Sequence, residues 1–264
     1  MRAFPDLFPR SRPHAATALP PGQRAISSFP RYGTHFAARD PGVPARPLIE
    51  VAGPNETIEL DAAALEGLPR ADLVADLHCV AGWTACGLHW QGVRFRDIFE
   101  RFITPESGAS AEIGHIRAVG RDGFRAVLAL EDAIAEDVLV ADRLDGAPLP
   151  VEHGGPFRLV SASQYGYKSV KHLCRIELCA AATDDHLNPL VNLGLKAVAP
   201  HPRARVWHEE RNRALPPWSV RWIYLRVLHP VIYTLCYLGG RRAGAEPTAS
   251  HSATQSTEHS QPHA

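Results

Sequence analysis

One cysteine and one distant cationic segment carry the clearest chemical signal in the sequence. Cys79 ends an alternating run that begins at Ala71, and residues 166–171 combine a glycine with two lysines. A thiolate is a soft ligand that suits a soft or redox-active metal. Cationic side chains and exposed N–H groups suit the recognition of a phosphate. Together, the two features predict a metal cofactor with an anionic tail.

Each of these residues also has an ordinary structural explanation. A lone cysteine at a strand end is more often a small buried apolar residue than a ligand. Single charges such as Arg158 and Lys171 are more often solvated, and a histidine beside two glycines, such as His153, is usually a loop residue. We expect packing roles at six further positions: Trp83, Trp90, Cys86, Cys174, Cys179 and Cys236.

Composition sets the broad class of the protein. The 264 residues are 45% hydrophobic and 21% charged, which is typical of one globular domain with appendages. The formal net charge is zero, so we expect no nucleic-acid partner. Five cysteines without a Cys-x-x-Cys pair predict reduced thiols rather than a disulfide framework. The first residues contain no apolar stretch typical of a signal peptide, which favours a cytoplasmic protein.

The distribution of apolar residues divides the chain into four segments. We predict a flexible N-terminal arm over residues 1–25, a single domain over 26–182, a C-terminal extension with a helix over 183–240 and a disordered tail over 241–264. The arm is rich in proline and arginine, and the tail in Ser, Thr and His. Neither composition buries enough apolar surface to offset the entropy cost of ordering, unless the N-terminal segment wraps onto the domain.

The domain contains more strand signals than helix signals. We predict strands over residues 48–51, 57–60, 73–78, 113–119, 124–130, 138–141, 157–160 and 173–178. Asp61 is placed to cap a short helix, and apolar residues recur at helical spacing over 95–102. An Asp-Gly pair at 122–123 is a strong hairpin signal. Because helices do not regularly separate the strands, we predict an α+β fold with mixed sheets rather than a doubly wound one.

Residues 217–238 form an apolar and aromatic run in the C-terminal extension. A membrane-spanning helix needs about 20 mostly apolar residues, but this run contains Arg221, Arg226 and Pro230. A central arginine costs about 2.5–3.5 kcal/mol on insertion scales, so a spanning helix is disfavoured. Packing onto the domain and a peripheral contact with a membrane or a partner both stay open.

Three motifs occur in an order that resembles a known family. Residues 79–84 read Cys-Val-Ala-Gly-Trp-Thr, followed by Trp-Gln-Gly-Val at 90–93. Residues 145–149 read Asp-Gly-Ala-Pro-Leu, ahead of Gly-Gly-Pro-Phe-Arg-Leu-Val. Residues 166–171 read Gly-Tyr-Lys-Ser-Val-Lys. Over about residues 20–180, the chain resembles the molybdopterin-binding oxidoreductase domain of the sulfite oxidase superfamily, which implies that family's mixed-sheet fold.

The resemblance also implies a molybdenum–molybdopterin cofactor and roles for the matching residues. Cys79 would ligate molybdenum through its sulfur, and is therefore the predicted metal ligand and catalytic residue. Lys171 and Arg158 would contact the cofactor phosphate or the pterin edge. Ser169 would offer backbone and hydroxyl donors.

Three further cofactor contacts follow from the same resemblance. His153 occupies a position that contacts the cofactor in relatives. The segment at 29–35 matches a loop that relatives place against the pterin. Arg31 and Tyr32 are therefore predicted contacts as well.

The residues after Cys79 separate this chain from part of the superfamily. Animal and plant sulfite oxidases carry arginines there that help to bind an anionic substrate, whereas residues 80–84 of this chain carry no charge. The run is more similar to the catalytic subunit of bacterial methionine sulfoxide reductase. Those proteins carry a twin-arginine export signal, which the first residues of this sequence do not show. The difference disfavours sulfite as the substrate.

We therefore expect a molybdenum-dependent oxidoreductase that transfers an oxygen atom to or from a small substrate and exchanges electrons with a separate carrier. Two alternatives stay open: a non-catalytic binding module of the same fold, and a membrane-associated electron-transfer subunit that uses residues 217–238. The sequence contains no Gly-x-Ser-x-Gly, P-loop or dinucleotide fingerprint. Their absence argues against serine hydrolases, nucleotide hydrolases and dehydrogenases.

Overall fold

The computed structural model describes residues 18–26, 41–53, 57–104, 113–181, 200–213, 215–223 and 226. Its strands are β1 (Arg24–Ile26), β2 (Leu48–Ala52), β3 (Thr57–Asp61), β4 (Arg70–His78), β5 (Trp83–Arg94), β6 (His115–Gly120), β7 (Arg125–Ala129), β8 (Val138–Leu144), β9 (Ala147–Pro148), β10 (Arg158–Ser161) and β11 (Leu173–Cys179). Its helices are α1 (Ala62–Glu66), α2 (Phe95–Ile98), which continues as a π-helix over Phe99–Ile103, α3 (Leu130–Ala133) and α4 (Pro217–Ile223). Short 3-10 turns cover Val151–His153 and Gly166–Lys168.

Within the described residues, the strands form two mixed sheets. The first sheet has the order β1-β5-β8-β10, with β4 paired to β5 and β9 paired to β8. The second has the order β3-β2-β11-β6-β7. Each sheet combines antiparallel pairs with a parallel pair, which is β1 with β5 in the first and β11 with β2 in the second. Mixed sheets with a few short helices confirm the predicted α+β class.

Local sequence signals explain several element boundaries. The side chain of Asp61 accepts a hydrogen bond from the backbone N–H of Ala64 at 3.0 Å and caps α1 as predicted. The predicted hairpin turn joins β6 to β7, where the Asp122 carboxylate accepts from the N–H of Phe124 at 3.0 Å. Both signals act over a few residues, which is why the sequence alone reveals them.

The longest of these strands, β5, is missing from the sequence-based prediction. It pairs with β4 along one edge, and with β1 and then β8 along the other. Its first three residues, Trp83–Ala85, are all buried. Residues that are buried on both faces of a strand show no polar–apolar alternation, so a period-two pattern could not reveal where β5 begins.

Most buried apolar residues in the described part of the chain belong to two clusters. The larger one joins both sheets to α2 through residues such as Val140, Ile176 and Phe95, none of which is more than 2% exposed. The smaller cluster belongs to the first sheet and contains Cys79, with aromatic and aliphatic residues of β5 and β10 around it. The predicted metal ligand therefore lies in a packed apolar environment.

Strand β1 lies at the predicted boundary between the N-terminal arm over residues 1–25 and the domain that begins at residue 26. Strand β1 pairs in parallel with Trp83–Ala85, and the backbone N–H of Arg24 donates to the carbonyl oxygen of Gly82 at 3.0 Å. Backbone groups along the open edge of β5 need hydrogen-bond partners, and β1 supplies them. The last two residues of the predicted arm, Arg24 and Ala25, therefore take part in the first sheet.

The C-terminal extension returns to the domain over residues 200–213. The N–H of Tyr165 donates to the carbonyl oxygen of Ala204 at 2.9 Å, and the N–H of Val206 donates to that of Ser163 at 3.0 Å. Helix α4 begins where the apolar run at 217–238 was predicted to start. Most of that run after residue 223 lies outside the described residues. In the part of the chain that is described, no helix has the length and apolar character to cross a membrane.

Candidate functional site

A tight turn between β4 and β5 positions Cys79. The N–H of Cys79 donates to the carbonyl oxygen of Trp83 at 2.8 Å, and the N–H of Gly82 donates to that of Cys79 at 2.9 Å. Gly82 has a φ of 95°, a conformation that glycine adopts without steric cost. Cys79 is 7% exposed and packs in one cluster with Trp83 and Trp90. The turn therefore fixes the backbone of Cys79 and surrounds it with indole rings.

A buried chain of hydrogen bonds supports this turn. Thr84 Oγ1 lies 2.9 Å from His78 Nδ1 and donates to Gln23 Oε1 at 3.1 Å. Gln23 Nε2 then donates to the carbonyl oxygen of Cys79 at 3.1 Å. Because the hydroxyl proton is directed to Gln23, we assign the Nδ1–H tautomer to His78. Burial lowers the pKa of His78 and favours this neutral form.

Arg158 is a buried cation at the start of β10. Its side chain is 2% exposed, donates to the carbonyl oxygen of His153 at 2.8 Å and lies 5.2 Å from the centroid of the Trp90 ring. Burial removes water from the guanidinium and lowers the pKa of Arg158 to about 9. The group still carries its charge at neutral pH, so the structure places a desolvated positive charge near the aromatic wall of the Cys79 cluster.

The 3-10 turn Val151–His153 and the glycines after it rest on the segment that contains Lys171. Lys171 Nζ donates to the carbonyl oxygen of Glu152 at 3.2 Å. The N–H of His172 donates to the carbonyl oxygen of Gly154 at 2.8 Å. A Cβ atom built on Gly154 would lie 2.9 Å from Lys171 Cα, so only glycine permits this approach. The two predicted cofactor segments are therefore in direct contact.

The loop that contains Ser169 lies against the Cys79 turn. A Cβ atom built on Gly166 would lie 3.4 Å from the carbonyl oxygen of His78. Ser169 is buried, and its Oγ accepts from the N–H of Ser161 at 3.1 Å and is 3.5 Å from the Ser161 carbonyl oxygen. The backbone N–H of Ser169 donates to the carbonyl oxygen of Gly166 at 3.1 Å. These bonds engage the groups that were predicted as cofactor donors, so in the structure Ser169 fixes the loop against β10.

Five of the seven predicted site residues lie within the described part of the chain, and contacts connect them. Cys79 shares its apolar cluster with Trp90, and Trp90 stacks on Arg158. Arg158 contacts His153, and Lys171 contacts Glu152, which precedes His153 in the chain. Ser169 joins through the loop at Gly166. The other two predicted contacts, Arg31 and Tyr32, lie outside the described residues.

The structure adds residues that the sequence analysis missed. Gln23 and Thr84 support the Cys79 turn, and Trp90 forms an aromatic face for Arg158. His172, which is buried, bonds the carbonyl oxygen of Gly155 through Nδ1 at 3.0 Å. Thr84, Trp90 and His172 lie inside or beside the three motifs, so motif position could have indicated them. Gln23 is 56 residues from Cys79, and no local pattern points to it.

Replacement of Gln23 should loosen the Cys79 turn. In Gln23→Ala, the carbonyl oxygen of Cys79 loses its side-chain donor and the Thr84 hydroxyl loses its acceptor, which should destabilise the protein by about 1–3 kcal/mol. We expect faster alkylation of the Cys79 thiol, measured residue by residue by mass spectrometry. Gln91→Ala is the matched control, because the Gln91 amide bonds exposed Asp72. Equal alkylation of Cys79 in both variants would contradict this role.

The chain is similar to a known protein family and to several known proteins. The family model described as oxidoreductase molybdopterin binding domain matches residues 42–187, more than half of the chain. The uncharacterized oxidoreductase YuiH of Bacillus subtilis (strain 168) is 32% identical over 159 residues, which cover 60% of this chain and 78% of that protein.

Two other similarities are more distant. The protein-methionine-sulfoxide reductase catalytic subunit MsrP of Xanthomonas campestris pv. campestris is 28% identical over 175 residues, or 58% of this chain and 52% of MsrP. This chain thus spans about half the length of MsrP. The sulfane dehydrogenase SoxCD of Paracoccus pantotrophus aligns over 52% of this chain and 39% of its own chain, with 21% identity and a TM-score of 0.45.

The family match covers all five described site residues. These are Cys79, His153, Arg158, Ser169 and Lys171, which lie within residues 42–187. Gln23 and the extension over residues 200–213 lie outside it. The resemblance predicted from the three motifs is confirmed. The chain belongs to the oxidoreductase molybdopterin-binding domain family of the sulfite oxidase superfamily.

Proposed function

We propose that this protein is a molybdenum-cofactor-dependent oxidoreductase that transfers an oxygen atom to or from a small substrate. The observation that carries the proposal is the position of Cys79 in a rigid, aromatic-lined turn that is in contact with the loop of the cationic segment. A thiolate ligand must be held in place to bind a metal in one geometry. The turn and the Gln23 bond provide that constraint.

The residues present fit a cofactor that has a soft metal and an anionic tail. Cys79 offers sulfur, which suits molybdenum as a soft donor. Arg158 carries a charge that burial has stripped of water. An anionic or polar edge bound beside it would replace the lost hydration with charge-assisted hydrogen bonds. Lys171 and His153 lie on the same two segments and would extend this binding surface.

Each residue then has a distinct task. Cys79 would ligate the metal, while Arg158, Lys171 and His153 would bind and orient the pterin and its phosphate. Gln23 and Ser169 position the two loops, as their hydrogen bonds show. Trp83 and Trp90 are at most 1% exposed and exclude water from the wall beside Cys79. When bound, the cofactor would supply the two-electron redox chemistry.

The residues around the thiol favour a neutral substrate. Residues 80–84 carry no charge, so this stretch provides no cation for sulfite. The relative MsrP is named a protein-methionine-sulfoxide reductase, which supports an S-oxide or N-oxide as the substrate class. Reduction of an S-oxide consumes two electrons and two protons and releases the sulfide and water. We propose that the electrons come from a separate carrier and that the protein is cytoplasmic.

Metal analysis combined with a substrate screen tests the proposal. Protein from a host that makes the cofactor should contain about one molybdenum per chain, as the single Cys79 ligand implies. It should also oxidise a reduced dye in the presence of sulfoxides or N-oxides, and oxidise sulfite poorly or not at all. Molybdenum-free protein from such a host would contradict the proposal. Protein that binds molybdenum but turns over none of these substrates would instead favour the non-catalytic binding module.

A further inference from the structure

The C-terminal extension exposes an unusual amount of tryptophan surface. Trp207, Trp218 and Trp222 are 56%, 74% and 62% exposed, and Ile223 is 39% exposed. Indole rings bury large apolar areas in folded proteins, and an exposed group of them marks a binding surface more often than a lone exposed residue does. We define these four residues as the tryptophan surface.

The extension presents this surface from a fixed position. Trp218 and Trp222 are one helical turn apart in α4 and share a face. Arg221, in the same helix, bonds Glu209 at 2.5 and 2.9 Å, and Glu209 lies two residues after Trp207. The preceding part of the extension is anchored on the domain by Arg203, whose Nη2 lies 2.5 Å from the Asp132 carboxylate.

Positive charge exceeds negative charge in the part of the extension that carries the tryptophan surface. Residues 200–226 contain six arginines and two glutamates but no aspartate or lysine, although the whole chain has a net charge of zero. Arg221 pairs with Glu209 and Arg205 pairs with Glu210. Arg213, whose Nε donates to the carbonyl oxygen of Pro200 at 3.4 Å, and Arg226 are exposed. A surface that combines exposed indoles with arginines is complementary to the interface of a bilayer with anionic headgroups. A partner protein would not require this excess of arginine.

We propose that the tryptophan surface, together with Arg213 and Arg226, docks the protein onto a membrane that contains anionic lipid. Tryptophan rings favour the headgroup region because they are apolar with one polar N–H. The arginines are attracted by the negative surface potential. Ile223, which is 39% exposed, adds hydrophobic contact. The inference concerns a surface separate from the Cys79 site and holds whatever reaction that site performs.

Vesicle sedimentation of the full chain tests the proposal. Vesicles of phosphatidylcholine with about one third phosphatidylglycerol should bind the protein more tightly than vesicles of phosphatidylcholine alone, and added salt should weaken the binding. The double variant Trp218→Ser with Trp222→Ser should bind about tenfold or more weakly, because two interfacial anchors are lost. Arg213→Glu with Arg226→Glu should lose the preference for the anionic vesicles.

Phe124→Ser is the matched control, because Phe124 is an exposed aromatic residue, 37% accessible, on the β6–β7 turn. It should bind vesicles like the unmodified protein. Circular dichroism and thermal unfolding establish that each variant is folded. Equal binding to both vesicle types, or no vesicle binding by the unmodified chain, would overturn the proposal. Self-association that disappears in the tryptophan variant, without vesicle binding, would also overturn it and assign the surface to a second copy of the chain.

Discussion

Cys79→Ser should abolish oxygen-atom transfer. Loss of a group that merely supports a metal ligand typically costs about 10–100-fold in affinity or activity, so loss of the ligand itself should exceed about a hundredfold. Serine keeps the shape of the side chain but replaces the soft sulfur with a hard oxygen. Activity with a dye electron donor and the thiolate–molybdenum absorption band should disappear together.

Cys86→Ser is the control for this experiment. Cys86 lies seven residues further along the chain, in β5. Burial and the nearby carboxylate of Asp76 raise the pKa of Cys86 to about 11, so its sulfur stays protonated at neutral pH and is a poor ligand. We expect Cys86→Ser to retain its molybdenum and its activity. Activity of Cys79→Ser within tenfold of the unmodified protein would show that Cys79 is not the ligand.

Arg158→Met should release the cofactor more easily. Removal of one member of a buried, hydrogen-bonded charge interaction costs about 2–5 kcal/mol, and about 1.4 kcal/mol corresponds to a tenfold change in affinity. We therefore expect retention of the cofactor to weaken by about thirtyfold or more. Molybdenum per chain after prolonged dialysis measures the effect. Arg158→Lys should be intermediate, because lysine keeps the charge but not the planar fork.

Two comparisons separate cofactor binding from folding in this experiment. Arg143→Met removes an arginine from the exposed side of β8 and should retain the cofactor fully. In the protein without cofactor, Arg158→Met loses the hydrogen bond to His153 but also removes a buried charge that is costly to desolvate. Because these two effects oppose each other, the free energy of unfolding should fall by no more than about 1–2 kcal/mol. Unchanged molybdenum retention in Arg158→Met would contradict a role for Arg158 in cofactor binding.

Most of the fold follows from short-range patterns in the sequence. The strands β2, β3, β6, β7 and β11 lie where alternation and turn residues predict them. The cap at Asp61 acts over three residues, so local sequence contains all the information that it needs. Strand β5 is different, because its first three residues are all buried and show no alternation that would reveal where it begins.

The candidate site shows the same division between local and distant information. The identity and order of Cys79, Arg158 and Lys171 are visible in the chain, and they are sufficient to indicate the family. Their proximity is not visible, because it depends on the contact of Trp90 in β5 with Arg158 in β10 and on the packing of the two loops against each other. A motif lists the groups that can do chemistry, but it contains no distances between them.

The sequence by itself therefore indicates which side chain is the candidate metal ligand and which cations are candidates for binding an anionic tail, and it predicts the α+β class. Only the tertiary structure shows that Gln23 bonds Cys79 from 56 residues away and that Arg211 bonds Gly22 from 189 residues away. Contacts at such separations leave no periodic trace in the chain, because they arise when surfaces that formed independently pack together. The support of the Cys79 turn and the exposure of the tryptophan surface are consequences of that packing.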